Sequence, residues 1–270
     1  MSGVSKAIVQ PLLDWYDAGH RDLPWRSEPT PYRVWVSEIM LQQTRVEAVR
    51  GYFSRWMNAL PDIPALAAAD EAVYTKLWEG LGYYSRVRNL HRAAVLLCEE
   101  YGGELPADYD RLLALPGVGE YTAGAVASIA FGLPVPAVDG NVLRVAARLD
   151  NDFTPITDAK FKKQTRERFA ALMPSDRPGD LNQSLMELGA TVCLPNGAPK
   201  CEVCPLVDQC LAGQHQTWTE YPFKKSAKPR RIEDRTVLLF LDGAHTAVRK
   251  RPKKGLLAGL YEFPNFDGVL

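Results

Sequence analysis

The sequence has no excess of charge of either sign and no long apolar run. Its 32 basic and 32 acidic residues balance, so any affinity for nucleic acid has to come from local patches rather than from net charge. No stretch approaches the ~20 apolar residues that a membrane-spanning helix needs. The N-terminus also lacks the basic start and apolar run of a signal peptide. These absences predict a cytoplasmic protein without a membrane partner.

Cysteine is scarce as well, and four of the five cysteines fall within eighteen residues. They form a C-x7-C-x2-C-x5-C array that consists of Cys193, Cys201, Cys204 and Cys210. Clustered thiols in a chain without secretory features indicate a metal or iron-sulfur centre rather than disulfides. The spacing leaves zinc and iron-sulfur open, because both accept four thiolate ligands.

A helix-turn-helix pattern over residues 115–126 dominates the middle of the chain. Its turn contains Gly117 and Gly119, which precede a helix of small residues. Unpaired backbone N–H groups at such a helix start form an anion-binding site. A nucleic-acid phosphate could bind there without sequence preference. Asp139 follows twenty residues later, at the predicted N-cap of an apolar helix over 142–149.

Glu38 lies on a helix predicted to run from residue 31 to about residue 50. Its neighbours on that helix are Val34, Ile39 and Leu41. A carboxyl among apolar side chains is desolvated, which raises its pKa and lets it hold a proton near neutral pH. From the pattern alone, a surface or capping acid is the more common interpretation of a lone helical glutamate.

Three segments together resemble one enzyme family. Leu-Pro-Gly-Val-Gly-x-Tyr-Thr-Ala and Val-Asp-Gly-Asn-Val are similar to the helix-hairpin-helix and aspartate loop of base-excision DNA glycosylases. The string Ser-Glu-Ile-Met-Leu-Gln-Gln-Thr at 37–44 resembles the catalytic-acid segment of the MutY-type adenine DNA glycosylases. The resemblance runs from about residue 23 to residue 210, and more faintly to the end.

This resemblance implies a mainly α, two-lobed helix-hairpin-helix glycosylase fold with an iron-sulfur loop. The glycosylase domain would cover residues 1–220, with the hairpin at about 112–128 and the cluster loop at 193–210. The family carries a [4Fe-4S] cluster at this position, which would select iron-sulfur over zinc. The first cysteine gap is seven residues here instead of the family's six, a difference that a loop near residues 196–197 can absorb.

The resemblance also implies a reaction on double-stranded DNA by a monomer. Glu38 would protonate an adenine mispaired with 8-oxoguanine or guanine, and Asp139 would stabilise the positively charged sugar. Asn141 would orient Asp139 or bind the DNA backbone. Tyr121 stands where strand-cleaving relatives have a Schiff-base lysine, which favours a monofunctional enzyme. Asp139 could also be a plain N-cap.

Further residues would bind the substrate. Tyr83 would insert into the duplex beside Gln43, and Leu81 would lie against the lesion-bearing strand. Gln183 would meet the extruded adenine, although an ordinary helical amide is an equally simple interpretation. The full set of predicted DNA contacts is Trp25, Arg26, Leu41, Gln43, Thr44, Val46, Leu81, Tyr83, Gly117, Gly119 and Gln183.

The composition changes after about residue 221. A linker over 221–234 leads into two predicted strands, 235–241 and 245–251, joined by an Asp-Gly turn. The segment around residues 255–264 resembles the start of the family's Nudix-like α/β domain. We expect residues 235–270 to be an incomplete domain of this kind, because about forty residues are too few for its core.

Two other functions remain open from the sequence. The chain could be an endonuclease III-like or thymine-mismatch glycosylase with lyase activity. It could also be a non-catalytic DNA-binding module that uses the hairpin and the cysteine loop only as a scaffold.

Overall fold

The computed structural model describes residues 4–223, 229–230, 232–252 and 254–269. The chain divides into two compact units, Met1–Lys225 and Ser226–Leu270. Residues 224–228 and 231 of the predicted linker lie outside the described residues. Over the described ranges, none of the helices combines the length and the apolar character needed to cross a bilayer.

The first unit is helical. Its described residues form twelve α-helices and short 3-10 turns at Lys6–Ile8, Cys201–Val203 and Val207–Gln209. The α-helices are α1 (Val9–Gly19), α2 (Pro31–Leu41), α3 (Val46–Ala59), α4 (Ile63–Ala68), α5 (Glu71–Leu77), α6 (Ser85–Tyr101), α7 (Tyr109–Ala114), α8 (Glu120–Phe131), α9 (Gly140–Asp150), α10 (Ala159–Ala170), α11 (Pro178–Thr191) and α12 (Leu211–Gln214).

The helices enclose two main hydrophobic cores. One core is rich in aromatic side chains from α2, α3 and the end of α5, among them Trp35, Trp56 and Trp78. The other joins α1, α9 and α11 through aliphatic side chains such as Leu12 and Leu185. The chain enters the second core at its N-terminus, crosses the first core over α2–α8 and returns with α9, so a cleft can form where the two meet.

The long helix predicted over residues 31–50 is wrong. Thr30 caps α2 by accepting a hydrogen bond from the backbone N–H of Arg33, and the helix ends at Leu41. The break comes at Gln43, whose φ of 58° is left-handed, and α3 begins at Val46. No glycine or proline marks the break, so local sequence signals did not predict it.

The predicted hairpin is confirmed as two helices, α7 and α8, joined by residues 115–119. Gly117 has a φ of +77°. A Cβ added there would lie 2.6 Å from the Cβ of Asn89 on α6. Only glycine therefore fits this turn, both for its backbone conformation and for its space.

The second unit has three two-stranded antiparallel pairs in its described residues. The Asp-Gly turn does close a hairpin, but with strands of two residues each. The two long paired strands expected from the sequence are wrong, because the later segment 261–267 takes up the outer pairings. The strands are β1 (Arg235–Val237), β2 (Leu241–Asp242), β3 (His245–Thr246), β4 (Arg249–Lys250), β5 (Tyr261–Glu262) and β6 (Asn265–Asp267), paired β1–β6, β2–β3 and β4–β5.

Candidate active site

A cavity of about 540 Å³ is lined by residues from both helical cores. Its walls come from α2, α8, α9 and α11 and from the loops before α2 and α3. Eleven of the residues singled out in the sequence line it: Trp25, Arg26, Glu38, Leu41, Gln43, Thr44, Val46, Tyr121, Asp139, Asn141 and Gln183. Residues more than a hundred positions apart thus share one chamber.

Glu38 projects from α2 and is buried, with 5% of its surface exposed. Burial raises the pKa of its carboxyl from 4.5 to about 7, and the charge of Asp139 adds to the rise. A hydrogen bond from Tyr121 and the charge of Arg26 act in the opposite direction. The desolvation predicted from the apolar neighbours is therefore present, and Glu38 can hold a proton near neutral pH.

Tyr121 on α8 determines the orientation of Glu38. Its hydroxyl donates to Oε2 of Glu38 at 2.5 Å and lies 3.1 Å from the sulfur of Met186. Burial raises the pKa of Tyr121 well above its ordinary value, so the phenol keeps its proton. The hydrogen bond occupies one carboxyl oxygen of Glu38, which leaves the other for a substrate.

Asp139 is the N-cap of α9. Its Oδ1 accepts from the backbone N–H of Val142 at 2.8 Å, and its Oδ2 accepts from the side-chain amide of Asn141 at 2.7 Å. Burial nevertheless raises the pKa of Asp139, against the lowering effect of these hydrogen bonds. Because both oxygens accept hydrogen bonds, the geometry suits the ionised carboxylate.

Arg144 on α9, which the sequence analysis missed, connects this carboxylate to the cysteine segment. Its Nη2 donates to the side-chain oxygen of Asn141 at 2.9 Å and to the carbonyl of Gly189 at 2.7 Å. Its Nε donates to the carbonyl of Cys193 at 2.9 Å. The sequence did contain a signal for these contacts, because an arginine within an otherwise apolar helix needs buried hydrogen-bond acceptors.

A buried ionic group forms another wall of the cavity. Glu187 on α11 pairs with Arg21 at 2.6 Å and with Arg26 at 2.9 Å. Burial raises its pKa, but the two guanidinium groups outweigh this effect and hold the pKa below the ordinary value. Arg26 also donates through Nε to Oε1 of Gln183 at 3.2 Å, which leaves the Gln183 amide N–H groups as donors. The sequence analysis missed Glu187, although it lies one helical turn after Gln183.

Four predicted contacts lie outside this cavity. Gly117 and Gly119 line a neighbouring groove of about 670 Å³, which also contains Asp139. Tyr83 is 64% exposed and has a left-handed φ of 47°. The side chain of Leu81 is buried in the first core, and its expected contact with a DNA strand stays a prediction.

The four clustered cysteines line one small apolar cavity, together with Trp218 and Val192. All four are free thiols. Arg148 donates to the sulfur of Cys193 at 3.2 Å, and the backbone N–H of Gly213 donates to the sulfur of Cys210 at 3.3 Å. Among the described residues, no group of three or more histidine, cysteine or acidic side chains is arranged to hold a single metal ion.

Comparison with known proteins gives consistent matches. The model of the HhH-GPD superfamily base excision DNA repair proteins matches residues 36–173. An adenine DNA glycosylase of Arabidopsis thaliana is 41% identical to this chain, over 97% of the chain and 48% of the relative. An adenine DNA glycosylase of Buchnera aphidicola subsp. Schizaphis graminum is 34% identical, over 96% and 74%.

The fold also has a counterpart among solved structures. A thermostable thymine-DNA glycosylase superposes with a TM-score of 0.68 at 28% identity, over 78% of this chain and 96% of that protein. The mainly helical glycosylase fold expected from the sequence is thereby confirmed. The chain spans about half the length of the Arabidopsis relative. It belongs to the HhH-GPD superfamily of base excision DNA repair proteins and, within that superfamily, to the MutY-type adenine DNA glycosylases.

Proposed function

We propose that this chain is a monofunctional DNA glycosylase that removes adenine mispaired with 8-oxoguanine or guanine. One observation carries the proposal: a buried acid with a pKa of about 7, Glu38, shares a cavity with the hydrogen-bonded carboxylate of Asp139. Breaking an N-glycosidic bond needs one proton donor and one fixed anion, and these two residues can supply them.

The two residues divide the chemistry between them. Glu38 protonates the departing adenine, which leaves as a neutral base. Positive charge then develops on the sugar, and the carboxylate of Asp139 stabilises it or bonds to it briefly, as in retaining glycosidases. Asn141 keeps that carboxylate oriented by donating to Oδ2. Water completes the reaction at the sugar, and Glu38, now ionised, helps to position it.

Tyr121 supports hydrolysis without strand cleavage. A bifunctional enzyme forms a Schiff base between a lysine amine and the sugar. No lysine is found among the described residues that line the cavity, and the phenol of Tyr121 is engaged with Glu38. Strand cleavage should therefore be weak or absent.

DNA would be bound on the surface that surrounds the cavity. The chamber is closed to a base inside a duplex, so the adenine has to be extruded into it. Gln43 and Tyr83 would enter the gap, and the turn of Gly117 and Gly119 would receive a backbone phosphate. The remaining cavity residues would surround the extruded base: Trp25, Arg26, Leu41, Thr44, Val46 and Gln183.

The pH dependence of excision follows from Glu38. Its pKa of about 7 means that the proton is present below pH 7 and is lost above it. We expect the single-turnover rate to fall by about tenfold per pH unit above pH 7. Rapid-quench measurements between pH 5.5 and pH 9 test this, with DNA affinity measured in parallel. A rate that does not change through pH 7 would remove Glu38 from the role of acid.

We also propose that the four cysteines hold a [4Fe-4S] cluster. Four free thiols line one small apolar cavity, and cysteine thiolates are the ligands that hold iron-sulfur clusters. The cluster would supply structural cross-linking of the loop. Anaerobically purified protein should contain about four irons per chain and absorb broadly in the blue. Stoichiometric zinc would contradict the proposal.

The decisive test of the function is a base-release assay. Duplexes containing A:8-oxoguanine, A:G, A:C and T:G pairs are incubated with the protein, and products are separated with and without alkali. We expect release from the first two duplexes, with strand breaks only after alkali. Release from T:G, or covalent trapping by borohydride on a pyrimidine-lesion duplex, would favour the endonuclease III-like alternative. Binding without release would favour the non-catalytic module.

For the second unit we propose membership of a Nudix-like domain. Its antiparallel strand pairs and the resemblance around residues 255–264 support this interpretation. Apolar side chains such as Leu241, Leu256 and Tyr261 are exposed there.

A further inference from the structure

Arg86, in the first turn of α6, caps the end of the helix that carries Glu38. Its Nη1 donates to the carbonyls of Ile39 at 2.9 Å, Met40 at 3.1 Å and Gln42 at 2.6 Å. The carbonyls of Ile39 and Met40 belong to the last turn of α2, where intrahelical partners are missing, and that of Gln42 belongs to its C-cap. The positive charge of the guanidinium also complements the negative end of the helix dipole.

The same guanidinium holds a second loop. Its Nη2 donates to the carbonyls of Leu81 at 3.0 Å and Gly82 at 3.2 Å. The guanidinium carbon also lies over two aromatic rings, 5.2 Å from the centre of Trp78 and 5.7 Å from that of Tyr83. One side chain thus connects the loop after α2 with the loop before α6.

Each loop contains one residue in an unfavourable backbone conformation. Gln43 and Tyr83 both have a left-handed φ, of 58° and 47°, which residues other than glycine seldom adopt. Arg86 bonds to the carbonyl directly before each of them, on Gln42 and Gly82. Such conformations persist only when surrounding contacts determine them, and here one guanidinium supplies contacts to both.

Gln43 and Tyr83 are exposed to solvent, whereas Arg86 is partly buried. Gln43 is exposed at the cavity that contains Glu38, and Tyr83 presents a 64% exposed ring. A planar ring and an amide that are held rigidly can fill the gap left by an extruded base and recover part of its stacking. If the two side chains are already held in place before DNA binds, their loops do not have to be ordered at the moment of binding.

We infer that Arg86 is a positioning residue that holds Gln43 and Tyr83 together as one preformed wedge for base extrusion. The inference rests on the proposed function and deepens it, because it assigns Arg86 to the step before bond cleavage. Arg86 touches no reacting atom, so its effect should depend on how strongly the target adenine is stacked and paired.

The test uses Arg86→Lys in the full chain. Lysine keeps the charge but lacks the planar fork that reaches several carbonyls at once. We expect single-turnover excision from an A:8-oxoguanine duplex to fall about ten- to hundredfold. Adenine opposite a stable abasic analogue has no pairing partner to lose, and its excision should fall less than about threefold. The matched control is Arg88→Lys on the same helix, whose guanidinium bonds to Glu71 at the surface.

Amide hydrogen exchange of the free protein supplies a measurement that does not depend on activity. We expect Arg86→Lys to accelerate exchange about tenfold or more in the segments around residues 42–44 and 81–84, with the buried part of α6 unchanged. An equal loss of excision on both duplexes, unchanged exchange in the two loops, or faster exchange throughout the core would each overturn the inference.

Failure of the proposed function would look different. In that case the unmodified chain would release adenine from neither duplex, and the exchange pattern alone would decide whether Arg86 holds the two loops. If only the inference fails, the unmodified chain still releases adenine, but Arg86→Lys no longer lowers excision more on one duplex than on the other.

Discussion

Replacing Glu38 by glutamine should lower the single-turnover rate of adenine release by about 10³-fold or more, because proton donation alone contributes about 10²–10⁴-fold. Glutamine keeps the size of the side chain and an oxygen that can accept from Tyr121, but it has no transferable proton. Binding of the mismatched duplex should survive, because the cavity and the DNA-facing loops keep their shape. Rapid-quench kinetics and fluorescence anisotropy measure the two properties separately.

The same variant carries a test of stability. The folded pKa of Glu38, about 7, lies above its ordinary value of 4.5, so the folded protein retains a proton that the unfolded chain releases. The free energy of unfolding therefore falls as pH rises from about 4.5 to about 7, and Glu38→Gln should stabilise the protein at pH 7.5 by about 1–3 kcal/mol. Urea unfolding at pH 5 and pH 7.5 measures the difference.

The control for Glu38 is Glu167→Gln on α10, an exposed glutamate paired loosely with Lys163 at 3.9 Å. This change should leave excision and stability unaltered within experimental error. Adenine release by Glu38→Gln at the rate of the unmodified chain would rule out the assignment of Glu38 as the acid.

Asp139→Asn should lower excision by about 10²- to 10³-fold, since it removes a fixed negative charge aimed at the developing positive charge of the sugar. Asparagine caps helices as well as aspartate does. Its oxygen can still accept from the backbone N–H of Val142, but its NH2 group replaces the oxygen that accepts from Asn141, so we expect a loss of stability of about 1–3 kcal/mol. Kinetics and thermal unfolding together therefore separate the electrostatic role of Asp139 from its role as an N-cap.

The chain offers a matched control. Asp158 caps α10 in the same way, accepting from the backbone N–H groups of Lys160 and Phe161 at 2.8 and 3.1 Å, away from the cavity. Asp158→Asn should leave excision unchanged. If Asp139→Asn retained full activity, the sugar cation would have to be stabilised by another group, and the division of roles proposed for Glu38 and Asp139 would be wrong.

Much of the site could be predicted because its signals are local. Asp139 stands directly before an apolar helix, and Gly117 and Gly119 lie in a short turn before a helix of small residues. Glu38 has apolar neighbours along its own helix, and these favour the burial that the structure shows. Each inference depends on a few consecutive residues, whose periodicity and capping preferences are readable without a structure.

Other features could not be predicted, because their causes lie far apart in the chain. The break at Gln43 coincides with hydrogen bonds from Arg86, which reaches the end of α2 from another helix. The charge of Glu187 is balanced by two arginines about 160 positions earlier, and sequence spacing does not record such a contact. The strand pairings after residue 235 were misjudged for the same reason, since a later segment competes for them.

The sequence by itself determined which chemical groups are available: an acid in an apolar setting, an aspartate at a helix start, a glycine-containing hairpin turn and four clustered thiols. Only the tertiary structure decided how deeply those groups are buried and how their pKa values shift. Burial raises the pKa of Glu38 to about 7, and the charge of Asp139 at the start of α9 adds to the rise, whereas Tyr121 and Arg26 oppose it. Electrostatic effects depend on distance in space and on solvent exclusion, and neither is a property of neighbouring residues in a chain.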